Sequence, residues 1–231
     1  MMKTLAADTS TSINTIAVCD GDRILAETVV ECGRKHSERL LATTHWVLGE
    51  AGLALADVDV LAVAVGPGSF TGLRIGVAAW KGLAFGARKP LIAVPTLDAM
   101  ARLVDSQYAL ACCVLDAKMG EVYGAVYRFE AGNRSKLTSD RVCPIEDLLE
   151  GLGGKPYFLG NGALRYRERI TKVVPGAAFA PARASVPRGS AVAAEGAALF
   201  ASGVSGDPTL VVPVYLRKSQ AEEKRGGTAP Q

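Results

Sequence analysis

The sequence predicts an α/β protein that contains one βββαβα unit twice. Each half of the chain opens with three short strands separated by turn signals, which indicates an antiparallel meander. Each half then continues with a helix, an apolar strand and another helix. Because a strand, a helix and a parallel strand connect in a right-handed crossover, each meander should extend into a parallel half-sheet that helices cover.

Apolar periodicity defines the elements of the first half. The sequence Asp20-Gly21-Asp22 is a strong hairpin signal between the second and third strands. The predicted elements are, in order, strands 3–8, 13–19 and 23–31, helix 36–51, strand 58–66, helix 71–86, strand 91–94 and a helix from Pro95.

The second half repeats this order as strands 108–116 and 120–129, a strand near 136–143, helix 144–152, strand 156–160 and helix 162–171. Prolines in 172–188 indicate a loop, and an Ala-rich helix is expected at 189–203. We therefore predict an N-terminal ribonuclease-H-like lobe over 1–105, a smaller lobe over 106–217 and a mobile polar tail over 218–231. Any ligand is expected between the lobes, at the strand ends.

Composition argues against several classes of protein. No window approaches the roughly 18 apolar residues that a membrane span needs, so a cytoplasmic protein is expected. The five cysteines are odd in number and show no CxxC spacing, which argues against a disulfide framework or a thiolate zinc site. A net charge of +3 does not require a nucleic-acid partner, although Arg165, Arg167, Arg169 and Lys172 lie close together.

Six segments spread over almost the whole chain resemble the bacterial TsaB (YeaZ) family. They are LAADTSTSINTIAV, KHSERLL, GPGSFTGLRIGVAAWKGLA, PLIAVPTLDAMA, DAKMGEVYGAVY and PVYLR, and the GPGSFTGLRIG block is highly specific. The resemblance implies the two-lobed actin/Hsp70/sugar-kinase fold and a part in making N6-threonylcarbamoyladenosine in tRNAs that read ANN codons. It also implies that a paralogue, TsaD, carries the transferase chemistry, that this chain is its non-catalytic partner, and that a small ATPase, TsaE, joins them.

The residues of a nucleotide site are only partly present. Asp8-Thr9-Ser10-Thr11 supplies an acid and hydroxyls after the first strand, but Ala117-Lys118-Met119-Gly120 has side chains where a phosphate loop needs glycines. GPGSFTG lacks the Gly-Lys-Ser/Thr ending of a P-loop, so its glycines indicate a tight turn and close helix packing. Gly160-Asn161-Gly162-Ala163 is either an adenosine turn or a structural helix start. We expect no cofactor and no catalytic residue.

A metal site is also not expected. The resemblance places Thr96 and Met100 where the catalytic paralogue has its two metal-binding histidines, and neither is a good ligand for a divalent ion. His36 and His45 are nine residues apart and lie on opposite faces of a helix. A peptidase that uses Ser37, His36 or Asp98 has no supporting motif.

The helices predict a partner surface instead. In helix 71–86 one face carries Leu73, Val77 and Trp80, and the other is also apolar, although one sheet can cover only one face. In helix 36–51 Trp46 projects opposite the core stripe, which is typical of an interface anchor, unless a loop covers it. The predicted interface comprises Ala42, Trp46, Gly49, Ile75, Ala79 and Gly82.

This interface is expected to form a homodimer in the isolated chain and to bind TsaD in the working complex. The tRNA would then be contacted through the complex rather than by this chain alone. The main alternative is an ATP-dependent small-molecule kinase of the same fold, which Asp8 and the two-lobed layout favour. A peptidase is the weaker alternative.

Overall fold

Two β-sheets with helices on their faces form the part of the chain that the computed structural model describes, which is residues 1–33, 36–105 and 107–217. The predicted mobile tail over 218–231 lies outside the described residues. In the described part, no helix is long and apolar enough to cross a membrane.

The first sheet joins an antiparallel meander to a parallel half, as predicted. Its strands are β1 (Lys3–Asp8), β2 (Ile13–Asp20), β3 (Arg23–Glu31), β4 (Val60–Gly66) and β5 (Leu91–Pro95). They lie in the order β3-β2-β1-β4-β5, with β4 parallel to both β1 and β5. All of β4 is buried, as expected of a strand that helices cover on both faces.

Side chains that alternate along these strands form two separate cores. Larger residues such as Leu5, Ile16 and Leu61 face α1 (His36–Glu50) and α2 (Phe70–Ala87). Smaller residues such as Ala6 and Ala62 face the opposite layer, which contains α3 (Thr96–Ala101) and the last helix of the chain. The first sheet is therefore the middle of three layers.

The second sheet contains β6 (Leu110–Lys118), β7 (Glu121–Glu130), β8 (Asn133–Lys136), β9 (Arg141–Pro144), β10 (Tyr157–Leu159) and β11 (Ala178–Phe179). The order is β11-β10-β6-β7-β8, and β9 also pairs with β7. Helices α4 (Ile145–Leu149), α5 (Asn161–Arg165) and α6 (Arg167–Val173) follow their predicted places, except that the expected helix 162–171 is divided at Tyr166. The short strand β11 lies inside the predicted loop 172–188.

The strand predicted near 136–143 is two strands. Between β8 and β9 the hydroxyl of Thr138 accepts a hydrogen bond from the Val126 amide at 3.0 Å, in place of a backbone carbonyl of a continuous strand. Lys136 and Asp140 form an ion pair at 2.6 Å across the same interruption. Local side-chain bonding therefore interrupts the ladder with β7.

The last helix, α7 (Gly189–Ala201), lies on the first sheet and not on the second. The division into lobes over 1–105 and 106–217 stays a prediction. A Cβ atom on Gly196 would meet Ala62 at 2.5 Å, and one on Gly189 would meet Ala17 at 2.7 Å. The alanine-rich face of the first sheet accepts only a helix that can approach this closely, and α7 is rich in glycine and alanine.

A partly buried ionic network joins the two sheets through α3 and α7. The Glu195 carboxylate, which is almost fully buried, pairs with Arg102 at 2.5 Å and with Arg134 at 2.8 Å. Asp98 accepts hydrogen bonds from Tyr127 and Lys136, each at 2.7 Å. Because charges buried in a low dielectric are costly when unpaired, this network favours one arrangement of the sheets.

Candidate functional site

Asp8, the acid after the first strand, is fully buried. One oxygen of the Asp8 carboxylate accepts hydrogen bonds from the Ser10 amide at 2.7 Å and the Ser10 hydroxyl at 2.6 Å. The other oxygen is buried without a partner among the described residues. Burial raises the pKa of Asp8 from its ordinary value of 3.8 to about 6, although both bonds from Ser10 lower it.

The start of α2 presses against this turn. The Ser69 amide donates to the Ser10 carbonyl at 2.6 Å, and the Thr9 hydroxyl donates to the Gly72 carbonyl at 2.8 Å. Cβ atoms on Gly68, Gly72 and Gly76 would each come within 3.0 Å of Thr9 or Ser10, closer than real Cβ atoms come. The predicted role of these glycines in a tight turn and close helix packing is confirmed.

A cleft of about 970 Å³ remains between the two sheets. The turn after β1, with Ser10 and Thr11, and the start of α2 line one side of the cleft. Asp116, Lys118 and Asn161 line the other side. The Asp116 carboxylate accepts from the Lys118 amide at 3.0 Å and pairs with the Lys118 ammonium at 2.8 Å. The acid on this side of the cleft is therefore already paired with a neighbouring lysine of the same chain.

The Gly-Asn-Gly turn has a structural explanation. A Cβ atom on Gly160 would fall within 3.0 Å of the Val114 carbonyl, and one on Gly162 would meet the Leu115 backbone at 2.7 Å. The Asn161 side chain accepts a hydrogen bond from the Asp116 amide at 3.0 Å. These contacts account for both glycines without an adenosine ligand.

The residues at the position of the paralogue's metal do not fit a metal ion. Met100 is buried in the core between α3 and the second sheet, and the buried Thr96 hydroxyl has no partner in the described chain. Throughout the described ranges, no three His, Cys, Asp or Glu side chains meet as metal ligands do. Asp98, which a peptidase would need, is occupied by Tyr127 and Lys136.

Asp8 gives the first testable prediction: Asp8→Asn should stabilise the folded protein at pH 7 by up to about 3 kcal/mol. The folded-state pKa of about 6 exceeds the ordinary 3.8, so the folded protein binds more protons between these pH values. Stability contributed by protonated Asp8 is therefore lost as pH rises from about 4 to 6. Denaturant unfolding of both proteins at pH 4 and pH 7 should show a difference only at pH 7. A less stable variant at pH 7 would contradict the prediction.

Helix α1 buries the predicted stripe and exposes the opposite side. Leu40, Val47 and Leu48 lie in the core, whereas Ala42 and Gly49 are exposed and Trp46 is 54% exposed. The alternative that a loop covers Trp46 is not supported by the described residues. Leu41 is also 54% exposed. Helix periodicity did not predict this exposure, because only about 20° of helix rotation separates Leu41 from the buried Leu48.

Helix α2 packs beside α1. The second apolar side of α2 is in part half-buried and in part exposed. Leu73, Val77 and Trp80 are buried against the first sheet, as predicted. Of the predicted interface residues, Ile75 and Ala79 are half-buried against the same core and Gly82 is exposed. The exposed stripe consists of Ala78, Gly82 and Phe85, and Phe85 is 54% exposed.

We name the exposed side of these two helices the α1/α2 surface, consisting of Leu41, Ala42, Trp46, Gly49, Ala78, Gly82 and Phe85. Leu41, Trp46 and Phe85 are each 54% exposed on these two neighbouring helices, and contiguous exposed apolar patches mark protein-binding sites. Whether the predicted interface residues contact a partner stays a prediction.

The basic cluster of the second half is largely paired within the chain. Arg169 pairs with Glu146, Arg165 lies 3.7 Å from Asp116, and the Arg167 guanidinium lies over the Phe179 ring. Lys172 is exposed. These pairings agree with a solvated surface.

The five cysteines are unpaired, and all but Cys143 are buried.

Comparisons with known proteins agree with the resemblance. A family model described as "TsaD: tRNA N6-adenosine threonylcarbamoyltransferase" matches residues 29–224. The chain is 33% identical to the tRNA threonylcarbamoyladenosine biosynthesis protein TsaB of Bacillus subtilis, over 96% of this chain and 97% of that protein. It is 31% identical to the Escherichia coli protein of the same name, over 98% and 99% respectively.

Solved structures give the same relationship. YeaZ from Pseudomonas aeruginosa superposes with a TM-score of 0.81 at 29% identity, over 94% of this chain and all of that one. A hexokinase of the ROK class from Thermus thermophilus superposes with a TM-score of 0.52 at 14% identity, over 87% of this chain and all of that one, which shows the shared fold alone. The predicted two-lobed sugar-kinase-like fold class is confirmed.

Proposed function

The chain belongs to the TsaB family and has a role in tRNA threonylcarbamoyladenosine biosynthesis, and on this premise we propose that it is a non-catalytic subunit that binds a TsaD-like transferase. The partner would carry out threonylcarbamoyl transfer to adenosine 37 of tRNAs that read ANN codons. A TsaE-like ATPase would join the pair, in the cytoplasm, and the tRNA would be held through the complex.

The α1/α2 surface is the observation that supports this proposal. Trp46 and Phe85 are each more than half exposed, and the small residues Ala42, Gly49 and Gly82 of the same two helices are exposed as well. A large aromatic side chain among small ones lets a helix of a partner approach closely around an anchor. In the isolated chain the same surface would pair with a second copy.

The packing of the turn at residues 8–11, where a nucleotide would bind in a kinase of this fold, supports a subunit without its own activity. Asp8 is fully buried, α2 packs directly on Thr9 and Ser10, and Asp116 is paired with Lys118. A kinase of this fold needs these groups to face phosphate and its metal ion. The cleft of about 970 Å³, like Asp8 and the two-lobed layout, favours the kinase alternative.

A second prediction follows for the isolated protein. Calorimetric titration with ATP and Mg²⁺ should show no sub-micromolar binding, and phosphate release should not exceed that of buffer, because the phosphate-facing groups are occupied by the chain itself. Tag-free protein should carry no stoichiometric metal on elemental analysis. Tight ATP binding with steady turnover would favour the kinase alternative instead.

Reconstitution tests the proposed function directly. The chain, its TsaD-like paralogue and the TsaE-like ATPase would be combined with unmodified tRNA, ATP and a threonylcarbamoyl donor. Modified nucleoside would then be measured by mass spectrometry. We expect modification to require this chain at a one-to-one ratio with the paralogue. Full modification in its absence, or no physical association with the paralogue, would contradict the proposal.

A further inference from the structure

Residues 209–217, which come after α7, connect the two sheets. They run beside α2 on the first sheet and end against the second sheet, and we name them the C-terminal strap. The Lys81 ammonium of α2 donates to the carbonyls of Thr209 and Val211 at 3.3 and 3.0 Å. Because the Val211 side chain is also buried in the core of the first sheet, the strap begins on a fixed attachment.

The middle of the strap lies where the first sheet borders the cleft. The Val214 amide donates to the Val65 carbonyl, near the end of β4, at 2.7 Å. A Cβ atom on Gly66 would lie 2.5 Å from the Val214 carbonyl, so the strap passes closer to β4 than a side chain would allow. The Tyr215 ring stacks on Phe70 at the start of α2, with ring centroids 4.5 Å apart. Val214 and Tyr215 both line the cleft.

The end of the strap is bound to the second sheet. The Arg217 guanidinium pairs with the Glu121 carboxylate at 3.0 Å and donates to the Ala117 carbonyl at 3.5 Å. It also contacts the sulfur of Met119. All three partners belong to the hairpin that joins β6 to β7. Because the Arg217 side chain is only 17% exposed, water screens its ion pair less than it screens a pair on the open surface.

The hairpin that Arg217 contacts has an uncommon backbone conformation. Lys118 and Met119 both have positive φ angles, of 65° and 53°. Residues other than glycine adopt this conformation at a cost, and it persists where the surrounding contacts maintain it. The Lys118 ammonium pairs with Asp116, and Arg217 contacts Met119. The strap therefore supplies part of the contacts that maintain this turn.

A second connection between the sheets lies further along β7. There the Tyr127 hydroxyl donates to Asp98 of α3 at 2.7 Å. Arg134 of β8 pairs with Glu195 of α7 at 2.8 Å. Glu121 and Tyr127 are six residues apart on β7, which is about 20 Å of strand. One connection would leave the second sheet able to turn about it, whereas two connections this far apart fix its orientation.

We propose that the C-terminal strap fastens the two sheets to each other across the cleft and holds the cleft at one width, with Arg217 as the residue that closes the connection. Residues 214–217 line the cleft together with parts of both sides. Hinged proteins bind ligands by closing two units around them. Such a motion in this chain would require Arg217 to leave Glu121. The strap thus opposes the motion on which a kinase of this fold would depend, whether or not a partner is bound.

The test compares Arg217→Ala with Arg169→Ala in the full chain. Arg169 is a matched control because it also pairs with a glutamate, Glu146, but both residues lie on helices of the second sheet. Dyes attached through unnatural amino acids at the exposed positions 173 and 198, on α6 and α7, would report the distance between the two sheets by single-molecule energy transfer. We expect one narrow distance distribution in the parent chain and in Arg169→Ala, and a broader one in Arg217→Ala.

A second measurement follows the strap itself. Exchange of the Val214 amide, observed by nuclear magnetic resonance, should be roughly tenfold faster or more in Arg217→Ala and unchanged in Arg169→Ala. Glu121→Ala removes the same ion pair from its other side and should give the same two results, which keeps the proposal testable if Arg217→Ala does not fold. The double variant should differ little from either single one, because all three lose one shared interaction.

Two outcomes would overturn the proposal. If the distance distribution is unchanged in both Arg217→Ala and Glu121→Ala, the strap contributes stability without fixing the sheets, even where melting temperatures fall. If Arg169→Ala broadens the distribution as much as Arg217→Ala does, loss of any charged pair has this effect and the strap has no special part in it.

Discussion

Gly82→Glu is expected to abolish productive assembly with the TsaD-like paralogue while leaving the fold intact. Gly82 is exposed near the middle of α2, and a Cβ atom there would meet nothing within 4 Å. A carboxylate at this point would be desolvated at the interface, at a cost of roughly 2 to 5 kcal/mol, or about 30-fold to several thousand-fold in Kd. Because glutamate is a better helix former than glycine, the isolated chain should not be less stable.

The measurement combines paralogue binding, self-association and tRNA modification. Ala198→Glu is the control, since Ala198 is an exposed alanine of α7 on the other face of the first sheet. Trp46→Ala should also weaken binding, by about 2 kcal/mol, if Trp46 is an anchor. Ala79→Glu is a less clean test than Gly82→Glu, because Ala79 is half-buried in the monomer. If Gly82→Glu and Trp46→Ala both assemble and support modification like the parent chain, the interface assignment is wrong.

Gly72→Ala is expected to destabilise the protein by about 3 kcal/mol or more, lowering the melting temperature by roughly 6 to 12 °C. The added methyl group would lie within 3.0 Å of the Thr9 carbonyl, and Thr9 is itself held by a hydrogen bond from its hydroxyl to the Gly72 carbonyl. Neither side can retreat without moving the start of α2 or the turn after β1. Thermal and denaturant unfolding would measure the loss.

The matched control for this change is Gly82→Ala in the same helix. Its methyl group meets nothing within 4 Å, so the substitution should stabilise the isolated chain by about 0.5 to 1 kcal/mol through helix propensity. Opposite signs for two Gly→Ala changes ten residues apart would show that packing on Thr9 requires Gly72. Equal effects of the two substitutions would contradict this explanation.

Local patterns were sufficient for most of the fold. The apolar run of β4 and the hairpin signal at Asp20-Gly21-Asp22 predicted their elements because each is encoded by neighbouring residues. The failures arose where a side chain replaced a backbone partner, at Thr138, and where the backbone leaves helical geometry, at Tyr166 with φ −102° and ψ 18°. Thr138 divides one predicted strand into two, and Tyr166 stands between two helices where periodicity indicated one.

For the candidate site, motif residues could be compared with a known pattern, whereas the exposed surface could not. The missing phosphate-loop glycines and the residues at Thr96 and Met100 could be read directly, because they depend on residue type at a known place in a motif. Which apolar residues of α2 are exposed could not be predicted from residue type. Ile75 and Ala79 are as apolar as their neighbours, and only contact with the core of the first sheet half-buries them.

The sequence by itself therefore determined the element types and the family, since each depends on residues close together in the chain. Tertiary structure alone decided that α7 covers the first sheet and that residues 210–215 run beside α2. These arrangements join residues more than a hundred positions apart, such as Gly196 with Ala62 and Val211 with Lys81. Such contacts are chosen by shape and burial in the folded chain, and they leave no periodic signal in either segment.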